Sequence, residues 1–182
     1  MSAPNARRSQ SPPKAPSTYR SQAYYLPSEL HNRLKAAWWA TKAEPDGAPS
    51  LSSMVARIFA AEAERLEAEH NNGKPFPPPP SAARASKSSS SPGHRSHAYY
   101  LRSELHERLK AAWWATNSDL TLSLFVAKAM AAEAERLELE HNAGEAFPLA
   151  PKGARGVDPA ASRRQGQFMT ELWAEKRGHE GI

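Results

Sequence analysis

Residues 20–41 read RSQAYYLPSELHNRLKAAWWAT and residues 95–116 read RSHAYYLRSELHERLKAAWWAT, the same residue at 19 of 22 positions. Further on, residues 60–71 (AAEAERLEAEHN) and 131–142 (AAEAERLELEHN) agree at 11 of 12. One unit has been duplicated, so whatever the chain folds into must accommodate two nearly identical halves. Between the matching blocks the first copy carries four extra residues, in Lys42 to Ser50 (KAEPDGAPS) against Asn117 to Thr121 (NSDLT). Pro45, Gly47 and Pro49 mark that segment as a loop, where an insertion disturbs little.

Each unit has the same local pattern. Arg20 to Leu26 is an aromatic-rich run that suits a strand of about six residues, stopped by Pro27 and Ser28. Pro27 is acceptable as a first helical residue. Leu30, Leu34, Ala37, Trp38 and Thr41 then recur at helical spacing, repeated as Leu105, Leu109, Ala112, Trp113 and Thr116. After the loop, Ser50 and Thr121 are placed to cap a second helix. Its apolar stripe is Leu51, Met54, Val55, Ile58, Phe59 and Leu66 in one copy, and Leu122, Phe125, Val126, Ala129, Met130 and Leu137 in the other.

A strand and two helices in about fifty residues cannot satisfy a strand edge and bury both helices. Two units can, if their strands pair antiparallel and four helices close over one face of the ribbon. The expected fold is mainly α with a short two-stranded antiparallel β-ribbon, a pseudo-dimer within one chain. The copies differ most where their second helices would meet, with Leu51 to Phe59 (LSSMVARIF) and Leu122 to Met130 (LSLFVAKAM) sharing four of nine residues. Met54 is replaced by the larger Phe125, and Ile58 and Phe59 by the smaller Ala129 and the more pliable Met130, so a mixed pair keeps total volume.

The chain has no Cys, so neither disulfides nor thiolate metal sites stabilise it. Sixteen Pro and a mean hydropathy of -0.70 confine the packed core to part of the 182 residues. The expected division is a disordered basic arm over 1–18, ribbon-forming units over 19–72 and 94–143, a disordered Pro/Ser-rich linker over 73–93, and a largely disordered tail over 144–182. The arm and linker regions carry the positive charge: residues 1–20 and 74–97 each hold four basic residues and no acid, whereas 21–73 and 98–151 are net negative. Such arms suit a polyanionic partner, or else serve solubility alone. No run suits a signal sequence or a membrane span, and a cytoplasmic location is expected.

The order of elements, with Leu26-Pro27-Ser28-Glu29-Leu30 at the strand end and Ser50-Leu51-Ser52-Ser53-Met54-Val55 opening the second helix, resembles the ribbon-helix-helix (Arc/MetJ-type) DNA-binding family in two tandem copies. The resemblance covers residues 19–71 and 94–142. It implies a ribbon placed in the major groove, with alternate strand residues on the bases. With Leu26 and Leu101 inward, period-two alternation turns Tyr24 and Tyr99 inward and exposes Ser21, Ala23 and Tyr25 opposite Ser96, Ala98 and Tyr100. The one strand difference, Gln22 against His97, falls on the inward parity. Identical outward triplets predict a palindromic or near-palindromic site. Ser, Ala and Tyr provide no bidentate base contact, so Arg20 and Arg95 at the ribbon ends are expected to supply affinity. The second-helix N-termini, at Ser50, Leu51 and Ser52 and at Thr121, Leu122 and Ser123, offer backbone N–H groups to phosphates, or are ordinary caps.

Catalysis finds little support, and no cofactor is implied. Glu62, Glu64, Glu67 and Glu69, with Glu133, Glu135, Glu138 and Glu140, are most simply a solvated helix face. His94 and His97 are close in sequence but have no Cys or acid beside them, which argues against metal binding. Trp38-Trp39 and Trp113-Trp114 suggest either a base-stacking platform or, through Trp38 and Trp113, core. In the tail, Phe168, Met169, Leu172 and Trp173 stand at helical offsets, which suits either a short amphipathic helix over 165–177 that docks on a protein partner or a disordered segment. Within the family, roles include transcriptional repressors, centromere-binding partners of partition ATPases, antitoxins and relaxosome accessory proteins. The first two are favoured; the resemblance makes Arg7 or Arg8 candidates to stimulate a partition ATPase. Further association on DNA is also open. A protein-interaction scaffold that does not touch DNA is the alternative of a different class.

Overall fold

A computed structural model describes residues 18–80, 92–117 and 119–154. Its elements run β1 (Tyr19–Pro27), α1 (Ser28–Thr41), α2 (Leu51–His70), β2 (His94–Arg102), α3 (Ser103–Asn117) and α4 (Leu122–His141). The strands form a two-stranded antiparallel ribbon within the one chain, and Ala23 pairs with its own repeat equivalent, Ala98. The centre of the ribbon therefore coincides with the approximate twofold that relates the repeats.

Both strands span nine residues rather than about six: β2 runs from His94 to Arg102, and β1 begins at Tyr19 and ends on Pro27, which does not open α1. The ladder explains why a proline is tolerated there. The Ser28 N–H donates to the Gly93 carbonyl at 2.9 Å, and the equivalent Ser103 N–H donates to Thr18 at 2.8 Å. Antiparallel pairs alternate between hydrogen-bonded and non-bonded, so the Pro27–His94 pair next to Ser28 is one in which position 27 needs no N–H.

Tyr24, Leu26, Tyr99 and Leu101 are buried on one face of the ribbon, whereas Ser21, Ala23, Ser96, Ala98 and Tyr100 are exposed on the other and Tyr25 is half-buried there. Beneath the buried face the helices interlock. Each second helix packs on the opposite repeat, α4 against β1 and α1, and α2 against β2 and α3, while α2 and α4 meet at the centre. Neither repeat encloses a core by itself, as the edge and burial argument requires.

The expected stripes form the core: Leu34, Ala37, Trp38, Val55, Phe59, Leu109, Ala112, Val126 and Met130 are buried, with Leu30, Leu51, Leu105 and Ala129 packed around them. Trp38 and Trp113 belong to this core. Their indole N–H groups donate to the Ala48 and Leu120 carbonyls, each at 2.9 Å, and pin the two loops of unequal length in the same way. Ser50 and Thr121 cap the second helices by accepting from the Ser53 and Leu124 N–H groups. Packing continues to Phe76 and Phe147, repeat-equivalent residues that lie against the core beyond the ends of α2 and α4.

The acidic helix faces need correction. Glu64, Glu69, Glu135 and Glu140 are exposed, but Glu67 and Glu138 are buried, at 2% and 3% exposure. Each is held by an arginine of the other repeat, Glu67 by Arg108 and Glu138 by Arg33. The interlock causes this: Glu67 follows buried Ala63 and Leu66 at the flank of the α2 stripe, and α3 of the other repeat packs against α2 there.

Candidate nucleic-acid interface

The ribbon's outward face is built by the alternation of the strands. Ser21 pairs with Tyr100, Ala23 with Ala98 and Tyr25 with Ser96, which places both expected triplets side by side across the centre. The face extends one pair further at each end, with Tyr19 opposite Arg102 and Pro27 opposite His94. Those four residues lie beyond the expected strand ends, because each strand is two residues longer than Arg20 to Leu26. The signal was in the sequence, since position 102 continues the parity of 96, 98 and 100.

The two ends differ in chemistry although they are repeat-equivalent. At one, the Tyr19 and Tyr100 rings stack with centroids 5.7 Å apart, and the Arg102 Nε donates to the Tyr19 hydroxyl at 3.0 Å. That hydrogen bond raises the pKa of the exposed Arg102 guanidinium, keeping it fully charged. At the other end Tyr25 stacks on His94 at 5.6 Å.

Arg20 and Arg95 are exposed at the rims. They lie on the parity of the helix-facing residues, and Arg95 is near enough to His97 to hold its pKa down after burial has done so. Gln22 is half-buried, and its repeat equivalent His97 stacks on His31 of α1 with centroids 3.8 Å apart.

The second-helix N-termini flank the ribbon. The Ser52 Oγ accepts from the Tyr100 N–H, and the Ser123 Oγ from the Tyr25 N–H, each at 3.1 Å. These serines tie each strand's outer edge to the helix of the opposite repeat, so Ser50 to Ser52 and Thr121 to Ser123 sit beside the outward tyrosines. The Leu122 side chain is buried, which leaves only its backbone for an outside partner, whereas Leu51 is half-buried and lines a cleft beside the ribbon. That cleft, of about 550 Å³, lies between the α2 N-terminus and Tyr19, Tyr100 and Arg102. Another, of about 330 Å³, includes no ribbon residue and is lined by Asp46, Glu133 and Glu140 with Arg57 and Arg136, a mixed-charge wall.

Under the ribbon, the Tyr24 hydroxyl lies 2.8 Å from the His106 Nδ1 and the Tyr99 hydroxyl 2.9 Å from the His31 Nδ1. Burial pushes both tyrosines up and both histidines down, His31 to about 4, so each pair is a neutral phenol hydrogen-bonded to a neutral ring. Lys42 Nζ sits 3.3 Å from the centroid of Trp39 and occupies one face of that ring. Among the described residues no group of three or more His, Asp or Glu is placed to hold a metal ion, and no helix is long and apolar enough to cross a membrane. Arg7, Arg8, Phe168, Met169, Leu172 and Trp173 lie outside the described residues.

Residues 29–76 match the family model described as Centromere-binding protein ParB C-terminal. The match covers the first repeat from the start of α1 through α2 to Phe76. No curated protein and no solved structure matches the chain.

Proposed function

We propose that this chain is a non-enzymatic, double-stranded DNA-binding protein of the ribbon-helix-helix type, two units paired in one polypeptide, and that it serves as a centromere-binding adaptor in plasmid partition. The observation that carries the reading is the ribbon. A two-stranded antiparallel ribbon, centred on an approximate twofold and exposed along one face, has the width and symmetry of a major-groove reader. The family match over 29–76 supports partition over the other roles of such proteins. Repression of a nearby promoter uses the same contact and is compatible with it.

In this reading Ser21, Ala23, Tyr25, Ser96, Ala98 and Tyr100 face base edges, Arg20 and Arg95 meet phosphates at the rims, and the N–H groups of Ser50 to Ser52 and Thr121 to Ser123 meet the flanking backbone. The basic arms add counterion release, and Arg7 or Arg8 and the 165–177 segment are left to a partition ATPase or another protein. The test is a titration of labelled duplex DNA at several salt concentrations. Binding that weakens steeply with salt and survives competitor DNA for at least one sequence is the expected result. Absence of duplex binding at low salt overturns the reading in favour of a protein-interaction scaffold.

A further inference from the structure

The ten residues of the ribbon's outward face are symmetric at the centre and asymmetric at the ends. Ser21, Ala23 and Tyr25 repeat as Ser96, Ala98 and Tyr100, but Tyr19 is answered by His94, and Pro27 by Arg102. Because the strands run antiparallel, these differences segregate: one end carries Tyr19 with Arg102, the other His94 with Pro27. Two identical subunits cannot do this, since a true twofold places the same residues at both ends. Duplication within one chain removes that constraint.

We propose that this chain reads a non-palindromic DNA site with fixed polarity, and that Arg102 sets the polarity by contacting a guanine in one half-site alone. The inference rests on the DNA-binding reading above. Arg102 is the one arginine on the outward parity of the ribbon, and its Nε is held by the Tyr19 hydroxyl at 3.0 Å with the guanidinium 5.5 Å from the Tyr19 ring centroid. Both terminal nitrogens remain for an outside partner, and a guanidinium matches the O6 and N7 acceptors of guanine bidentately. The other end has no equivalent donor fork, because the proline there has no side-chain polar atom and the His94 imidazole has no two parallel N–H groups. Positions 27 and 102 are interchangeable in the ladder, since both fall at non-bonded pairs, so exchanging their residues leaves the fold intact.

The full chain, Arg102→Pro and Pro27→Arg are each used to enrich bound fragments from a pool of random-sequence duplexes, with thermal stability measured in parallel. The full chain should select a central element of approximate symmetry with a G·C pair at one end only. Arg102→Pro should lose about tenfold preference at that pair and keep the rest, and Pro27→Arg should gain a matching G·C pair at the other end. Selection of a symmetric site by the full chain overturns the inference while leaving DNA binding intact. So does an Arg102→Pro variant that binds every sequence more weakly by the same factor, the behaviour of a phosphate contact. Enrichment of no duplex by any of the three overturns DNA binding itself, and the polarity with it.

Discussion

Arg33 of the first repeat grips Glu138 of the second, Nε to Oε1 at 2.8 Å and Nη2 to Oε2 at 2.5 Å, and the repeats return the contact through Arg108 and Glu67. The Arg33 guanidinium holds the Glu138 carboxyl below the usual carboxylate range. Such forks add directional, charge-assisted bonds between α1 and α4 and between α3 and α2. Arg33→Ala leaves a buried carboxylate without its partner and should cost about 3 kcal/mol. Glu138→Gln should cost less, since it removes the charge together with the need for a counter-ion. Chemical denaturation of both variants measures the difference, and equal costs would show that the arginine acts only through packing.

Tyr24 and Tyr99 are 2% exposed, whereas Tyr100 is 57% exposed. Truncating either buried ring to alanine should lower stability by about 3–5 kcal/mol, as for other large core side chains. Tyr25→Ala with Tyr100→Ala should leave the melting temperature nearly unchanged and weaken duplex binding. Melting curves and DNA titrations of the two sets separate packing from recognition; loss of affinity with no change in stability for the Tyr24 and Tyr99 variants contradicts the proposed division.

Arg20→Ala with Arg95→Ala should reduce the slope of log affinity against log salt by about two, one phosphate contact per side chain. The wild-type slope in the same buffers is the reference. An unchanged slope places the phosphate contacts elsewhere, on the arms or the second-helix N-termini.

The stacked pair His31 and His97 makes the fold acid-sensitive. Burial, the His97 ring and Lys35 hold His31 down at about 4, and burial with Arg95 lowers His97. In the unfolded chain a histidine titrates near 6.5. Between those values the unfolded state binds more protons than the folded one, so stability is full above about pH 6.5 and declines as pH falls towards 4. The melting temperature should drop across that window before the carboxylates titrate. His31→Gln should flatten the decline; an equally steep decline in that variant assigns it to other groups, such as His106.

Phe59 and its repeat equivalent Met130 are both fully buried in the core that the two repeats share. Met130→Phe should overpack this region by about 1–3 kcal/mol, and adding Phe59→Met should recover most of the loss. A double-mutant cycle measures the coupling. Additive effects would mean that the two positions fill separate spaces and that the copies did not diverge to fit one another.

What the sequence by itself determined is local or repetitive. The duplication, the inward parity of Tyr24, Leu26, Tyr99 and Leu101, the helical stripes, and the caps at Ser50 and Thr121 all follow from spacing or from a residue's near neighbours, and they place the outward triplets correctly. The strand ends are less legible: Pro27 suits a helix start equally well, and only the ladder shows that its missing N–H costs nothing at the end of β1. Tyr19, His94 and Arg102, three of the four residues that distinguish one end of the ribbon from the other, join the face only through the observed pairing. Glu67, Glu138, Phe76 and Phe147 are a different case. Whether a glutamate on the far side of a helix meets water or an arginine depends on which helix lies across from it, and here that helix belongs to the other repeat. Nothing in the residues beside Glu67 carries that information, because burial is a property of two surfaces and the sequence writes them 41 residues apart.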